Sequence, residues 1–406
     1  MTTPAPTPAV RDRTLSLPSH ELPAYVYDVS ALRTHAATVR AALPPSIELY
    51  YAAKANPEPE ILAALGPYVD GYEVSSGGEL AHVRKAAPDR PLAFGGPGKT
   101  PAEIASALEL GVARFHVESI HELHVLAALA RRADVRDVGV LLRFNLPVPG
   151  DSLADSSLAM GGRPTPFGLD PADADTAVRL LTDGTHPHLR LLGVHAHLAS
   201  GLHAPAQLAI AASIVTWAAD LAARHRVRLA EVNVGGGMTV DYAAPDQLFD
   251  WAAYGTGLAR LAVAHPDLTL RIEPGRALTA YCGWYVTQVL DVKLSHGEEF
   301  AVVRGGTHHL RTPATKNHDQ PCTVLPVDAW PHPWPRPTAQ HSRVTLTGQL
   351  CTPKDLLSRH VPAPGLRAGD RVAFALAGAY AWNISHHDFL MHPRPTFHFL
   401  DRTPQT

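Results

Sequence analysis

Four short segments of this 406-residue chain bring together residue types that could do chemistry. Tyr50-Tyr51-Ala52-Ala53-Lys54-Ala55-Asn56 sets a lysine directly after an apolar run. A lysine desolvated at such a point has its pKa lowered and can form a Schiff base with a carbonyl compound; a lysine snorkelling from a strand end is the alternative. His195-Ala196-His197-Leu198-Ala199-Ser200-Gly201 puts two imidazoles on the same side of an extended strand, which suits two metal ligands, one imidazole stacked on a ring, or histidines satisfied locally. In Val234-Gly235-Gly236-Gly237-Met238 the backbone N–H groups can approach an anion closely, although a glycine run also makes an ordinary tight turn. Arg271-Ile272-Glu273-Pro274-Gly275-Arg276 joins a carboxylate, a glycine and a guanidinium. The arginine and the glycine amides could grip a phosphate, and the carboxylate could hold a protonated ring nitrogen. Together the lysine, histidine, glycines, acid and arginine fit a phosphorylated aromatic aldehyde cofactor.

These segments need a scaffold that gathers the ends of several strands. From about residue 47 to residue 276, short apolar or β-branched runs alternate with longer helical patterns. The runs lie near Ile47–Ala52, Gly71–Ser75, Pro91–Phe94, Ala113–Val117, Val138–Phe144, Leu191–His197, Glu231–Val234 and Leu268–Ile272. Eight units of this length predict a (β/α)8 barrel over 34–276, with a doubly wound open sheet as the alternative. A barrel would collect the four segments at the C-terminal ends of its strands. Beyond Arg276, strand-like runs separated by Pro, Gly and His predict a mostly β domain over 277–406. Pro23–Tyr27, within 21–33, reads as a strand joining that domain, and residues 1–20 read as a flexible tail. Pro147–Pro166 and Pro321–Pro337 read as long surface excursions.

Composition narrows the classes further. With 46% apolar and 18% charged residues the chain can bury a large core. A net charge of −3 gives no basic excess to neutralise phosphates, so nucleic acid is not an expected partner. The longest apolar run, Leu208–Ala219, is broken by Ser213 and Thr216 and closed by Asp220, so no membrane span is expected. Three cysteines, Cys282, Cys322 and Cys351, allow at most one disulfide and have no paired-ligand spacing, which suits a reducing cytoplasm. Only six lysines stand against 29 arginines, so Lys54 has few rivals.

The motifs Tyr51-Ala52-Ala53-Lys54-Ala55-Asn56, Glu73-Val74-Ser75-Ser76-Gly77-Gly78-Glu79-Leu80, His197 to Gly201, Gly235-Gly236-Gly237, Glu273-Pro274-Gly275-Arg276, Gly348-Gln349-Leu350-Cys351 and Gly378-Ala379-Tyr380 occur in one order over nearly the whole chain. In this they resemble fold-type III pyridoxal-phosphate decarboxylases, the group of diaminopimelate and ornithine decarboxylases. The resemblance implies pyridoxal 5'-phosphate held by Lys54, with His197 stacked on its ring and Ser200, Gly236, Gly237, Gly275, Arg276 and Tyr380 around its phosphate. It implies that Glu273 pairs with the ring nitrogen, where related racemases place an arginine. It also implies a homodimer in which Cys351, from the other subunit, protonates the product α-carbon as general acid. The alternative for Cys351 is a buried apolar thiol.

Departures from the family pattern bear on the substrate. Members acting on diamino acids carry an acidic residue directly after the cysteine, whereas Thr352 follows Cys351 here. Glu73 stands where an aspartate is usual, and Ala199 where a glycine is usual. The segment Gly378 to Leu390 resembles the siderophore-biosynthesis branch, whose members decarboxylate an amino-acid unit, often already amide-linked to citrate. An acidic conjugate would need contacts such as Arg143, Arg311, His308, His309, His386 and His387 could offer. The main alternative within the family is diaminopimelate decarboxylase. Outside it, a metal-dependent amidohydrolase would place its His-x-His pair on the first strand, not the sixth, and a non-enzymatic pyridoxal-phosphate carrier would need neither the β domain nor Cys351.

Overall fold

A computed structural model describes residues 5–148 and 161–401. The chain divides into two units: His35–Thr239 with Phe249–Leu278, and the residues up to Thr34 with Val240–Leu248 and those from Thr279 onward. In the first, strands β2 (Ile47–Ala52), β3 (Gly71–Val74), β4 (Leu92–Phe94), β5 (Arg114–Val117), β6 (Val138–Arg143), β7 (Leu189–His195), β8 (Glu231–Asn233) and β9 (Thr269–Ile272) form a closed parallel barrel. The ring closes through β2, which pairs with β3 on one side (Ala52 opposite Glu73) and with β9 on the other (Leu49 opposite Ile272). The barrel read from the alternating runs is the barrel observed, and the open-sheet alternative falls away.

Helices between the strands start at residues that supply their own caps. Ser76 Oγ accepts the Glu79 N–H at the start of Gly77–Ala86, and Thr100 and Glu103 form a reciprocal capping box at Pro101–Glu109. Among the described residues one helix, Ala204–His225, is long and apolar enough to cross a membrane. Its Ile210, Ile214, Ala218 and Leu221 are nevertheless buried on the face packed in the barrel unit. The interior at the N-terminal end of the strands is ionic. Arg271, 0% exposed, bonds Glu48 and Glu231, and Arg114 adds two bonds to Glu231 at 2.7 Å each. Removing one partner from such a buried network typically costs about 3–5 kcal/mol, because a desolvated charge is left behind.

The second unit is mostly β. Its sheet runs β12 (Cys322–Leu325), β15 (Arg371–Phe374), β10 (Gly283–Ser295), β11 (Glu298–Val303), β13 (Arg343–Thr347), β14 (Leu356–Pro362). Strand β1 (Ala24–Asp28) pairs antiparallel with β10 and parallel with β16 (Thr396–Leu400). The expected N-terminal tail is ordered differently from its composition: Pro8–Ser16 is a helix with Val10 and Thr14 buried. Thr7 caps it, with Pro8 at the first helical position, and the Thr7 hydroxyl donates to Asp28 at 2.6 Å. A Thr-Pro pair is a helix start as well as a mark of irregular chain, and only the tertiary contact decides between them. Residues 149–160 of the expected excursion Pro147–Pro166 lie outside the described residues.

Candidate active site

Lys54 sits in a single 3-10 turn, Ala53–Ala55, at the C-terminal end of β2. It is not desolvated as the apolar run suggested: its side chain is 45% exposed, and its Nζ donates to Glu73 Oε2 at 2.6 Å. Glu73, at the end of β3, is buried, and its other oxygen accepts from Ser75 Oγ at 2.9 Å. Burial pushes Glu73 up, but the Lys54 ammonium and the hydrogen bonds from Lys54 and Ser75 outweigh it, so the carboxyl lies below its ordinary range. The strand end is fixed locally, because Glu79 of the following helix accepts the Ser75 N–H at 2.7 Å.

Glu273 follows β9 and is also buried. Desolvation and repulsion from Glu73 push its carboxyl up to about 7, against the pull of Lys54, Asn233 and Arg271. Asn233 Nδ2 donates to Glu273 Oε1 at 2.6 Å, while Asn233 Oδ1 accepts the Gly235 N–H at 2.9 Å and so fixes the amide's orientation. Two carboxyls in one low-dielectric site have thus been driven apart in acidity, the arrangement that separates roles between them.

His197 lies just beyond β7. Its Nδ1 accepts the Gly236 N–H at 3.1 Å and its Nε2 faces Ser200 Oγ at 3.3 Å, which sets the neutral tautomer with the proton on Nε2. Burial, then Arg143 and Lys54, push its pKa down to about 3. The glycine run is required sterically. Gly237 has φ +97 and a Cβ there would lie 2.1 Å from the Ala199 carbonyl; at Gly236 it would lie 2.3 Å from the Glu273 carbonyl. Arg276 opens the short turn of helix Arg276–Thr279 beside Gly275, whose carbonyl accepts the Leu278 N–H. At the end of β6, Arg143 donates to buried Glu118 at 2.8 Å and packs over Phe167.

The structure therefore brings Lys54, His197, Ser200, Gly236, Gly237, Glu273, Gly275, Arg276 and Arg143 into the barrel unit. Tyr380, Cys351, Arg311 and His387 belong to the other unit. Tyr380 has φ +49 and its carbonyl accepts from Thr312. Cys351 is exposed, on a turn pinned by Asp355, which accepts the Leu350 N–H at 2.8 Å. Arg311 reaches the Ile384 carbonyl at 3.5 Å. His387 stacks on Trp382 at 3.6 Å between ring centroids and bonds its carbonyl. His308 and His309 are buried, and burial followed by neighbouring histidines pushes them down to about 4 and about 3, so neither is a cation for a carboxylate at neutral pH. Asn233 and His116 escaped the reading of the sequence. The signal was a polar residue two positions from another polar residue inside an apolar strand.

His116, His195 and Glu273 can present three ligand atoms within 4.8 Å of one another. A divalent cation there would face the positive charges that, after burial, depress the histidines: Arg271, Arg143, Lys99 and Lys54 at His116, and Arg143 and Lys54 at His195. That field disfavours a metal and suits an anionic cofactor. The site has an amine at its mouth, an acid sunk beneath it, a neutral imidazole and a glycine cradle that no side chain could share. These are the donors a phosphorylated pyridine aldehyde needs.

Barrel and site together define a fold-type III pyridoxal-phosphate enzyme. The chain belongs to the pyridoxal-dependent decarboxylases: residues 29–280 match the model of that family's pyridoxal-binding domain. It is 38% identical over 398 residues, 96% of this chain and 97% of the relative, to the 2-[(L-alanin-3-ylcarbamoyl)methyl]-2-hydroxybutanedioate decarboxylase of Staphylococcus aureus. It is 30% identical over 385 residues, 92% of this chain and 88% of the relative, to the L-glutamyl-[BtrI acyl-carrier protein] decarboxylase of Niallia circulans. Among solved structures it resembles a variant of Helicobacter pylori diaminopimelate decarboxylase complexed with L-lysine, with TM-score 0.81, 25% identity, and coverage of 94% of this chain and 92% of that one. It is a carboxy-lyase, and its cofactor is pyridoxal 5'-phosphate.

The depressed His197 gives a checkable sign. The unfolded chain takes up a proton near pH 6.5 that the folded imidazole refuses until about 3, so stability is lost as pH falls through that window. Urea melts of the cofactor-free protein should show His197 contributing about 1 kcal/mol of loss between about pH 6.5 and 5.5, absent in His197→Gln. Equal pH slopes in the two proteins would contradict the assignment.

Proposed function

We propose that this enzyme removes the α-carboxylate of an amino acid carrying an acidic acyl group, an amide of citrate with 2,3-diaminopropionate being the best-supported case, in siderophore biosynthesis. The observation that carries this reading is the likeness, over 96% of this chain, to the staphylococcal enzyme, whose name gives a substrate with a citrate skeleton joined by an amide to the β-nitrogen of such an amino acid. Thr352 supports it: a hydroxyl cannot neutralise a distal ammonium, and an unpaired ammonium is costly to desolvate. Diaminopimelate decarboxylation is the second reading, favoured by the lower-identity relatives of that name.

In this proposal Lys54 would hold the cofactor through its amine and His197 would stack on its ring. Ser200, the amides of Gly236, Gly237 and Gly275, Arg276 and Tyr380 would take its phosphate. Glu273 would pair with the ring nitrogen and keep it protonated. When bound, the cofactor supplies the electron sink that accepts the pair left as carbon dioxide departs. Glu73, bonded to the Lys54 amine, would orient it toward the cofactor site. His197, held neutral by burial and by Arg143 and Lys54 and oriented by the Gly236 N–H, would cover the ring without adding charge. Arg143, held by Glu118, and Arg311 with His387 are the candidate contacts for substrate carboxylates. Glu273 would offset the charge of the ring nitrogen, and the arginines would offer positive charge to the substrate's acids.

The enzyme is further proposed to be a cytoplasmic homodimer in which the partner subunit's Cys351 returns a proton to the α-carbon. Exposure of Cys351 in the single chain supports this, whereas Cys282 and Cys322 are buried free thiols, each pushed up to about 12, mainly by desolvation.

Two measurements test these readings. kcat/KM for the citryl conjugate of diaminopropionate should exceed that for free ornithine, lysine or diaminopimelate by about 100-fold or more. Efficient turnover of a free diamino acid with no gain from the citryl group would overturn the substrate reading. Lys54→Ala and Cys351→Ala proteins, each inactive, should recover about a quarter of wild-type activity when exchanged into mixed dimers. No recovery after demonstrated exchange would overturn the shared site.

A further inference from the structure

Two imidazoles of the barrel have no part in the chemistry above. His116 on β5 and His195 on β7 are 0% and 3% exposed, and neither ring nitrogen of either residue has a hydrogen-bond partner among the described residues. A buried polar group left unpaired costs about 1–3 kcal/mol, so two adjacent ones mark a place where their nitrogens serve something else. Both turn Nε2 toward one carboxylate. His116 Nε2 lies 3.8 Å from Glu273 Oε1 and His195 Nε2 lies 3.6 Å from Glu273 Oε2, with the two rings 4.3 Å apart. Each is roughly 0.5 Å beyond hydrogen-bond range, a gap of the size that catalytic contacts close on ligand binding.

We propose that His116 and His195 are positioning residues: two uncharged imidazoles, each with its proton on Nε2, that brace the two oxygens of Glu273 and keep its carboxylate ionised. This rests on the reading that Glu273 pairs with the cofactor's ring nitrogen. Burial first, and then the groups facing the pair, decide their charge. Lys54, Lys99, Arg143 and Arg271 oppose a proton on His116, and Arg143, Lys54 and the neighbouring imidazoles oppose one on His195. Glu73, the other acid of the site, is committed to Lys54. A charged histidine would also draw the carboxylate away from the ring nitrogen, whereas a neutral donor stabilises the anion and leaves its charge available. Asn233 already serves Oε1 in this way. Without these donors, burial and Glu73 favour a protonated Glu273, and a neutral acid cannot hold a ring nitrogen in its protonated form.

The wild-type holoenzyme carries the first test. With ring-15N histidine, long-range 1H–15N spectra should show His116 and His195 neutral and protonated on Nε2 from about pH 6 to about 8. A charged ring, or a proton on Nδ1, at either residue overturns the proposal, whatever any variant does. The second test loads the protein with pyridoxal phosphate labelled with 15N in its ring. His116→Phe and His195→Phe should move the cofactor nitrogen toward its unprotonated shift and lower kcat by about 10–100-fold with little change in KM, and His116→Gln and His195→Gln should restore both. Glu273→Gln separates the two claims. If it leaves the nitrogen shift unchanged, the Glu273 reading fails; if it moves the shift while neither Phe variant does, the present inference fails alone.

Discussion

Two barrel strands each turn two polar side chains inward, two residues apart, Arg114 and His116 on β5 and Glu231 and Asn233 on β8, and Arg271 on β9 repeats the spacing with Glu273 just beyond the strand end. The rest of the barrel depends on that spacing. Because side chains alternate along a strand, the lower member of each pair enters one interior layer and the upper member enters the next. The lower layer is an ion network of Arg114, Glu231, Arg271 and Glu48. The upper layer is the floor of the site, where Asn233, His116 and His195 surround Glu273. Arg271 links the layers, since its charge is among those that lower Glu273 and depress His116.

Barrel closure supplies the remaining component. β2 lies between β3 and β9, so the turn after β2 brings Lys54 to Glu73 and within electrostatic reach of Glu273. One ammonium cannot neutralise two buried carboxylates equally. It bonds Glu73, and Glu273 is left with a raised pKa, ready for a positive partner of its own. An aromatic cofactor with a basic ring nitrogen meets that need, and the φ +97 backbone at Gly237 keeps side chains out of the neighbouring cradle.

Much of this was legible in the sequence. All eight barrel strands appeared as apolar runs, and Lys54, the glycines and Glu273 stood out because each follows such a run. What stayed hidden depends on contacts between distant positions. Lys54 read as desolvated because its neighbours are apolar, and the acid that pairs with it comes from the next strand. Asn233 and His116 each lie two positions from another polar residue in a strand, and only the closed ring puts them around one carboxylate. Pro8–Ser16 read as a tail because its composition matches one, while the Thr7–Asp28 bond that anchors its start spans 21 residues. Local pattern determines elements; partners across the barrel determine roles.

The central claim is that Lys54 is the residue that holds the cofactor. Borohydride reduction of the loaded protein, followed by peptide mapping, tests it most directly, and the chain has only six lysines to separate. The expected result is a single pyridoxyl-labelled peptide containing Lys54, with no label in Lys54→Ala. A label on another lysine, or unchanged labelling in Lys54→Ala, would contradict the account.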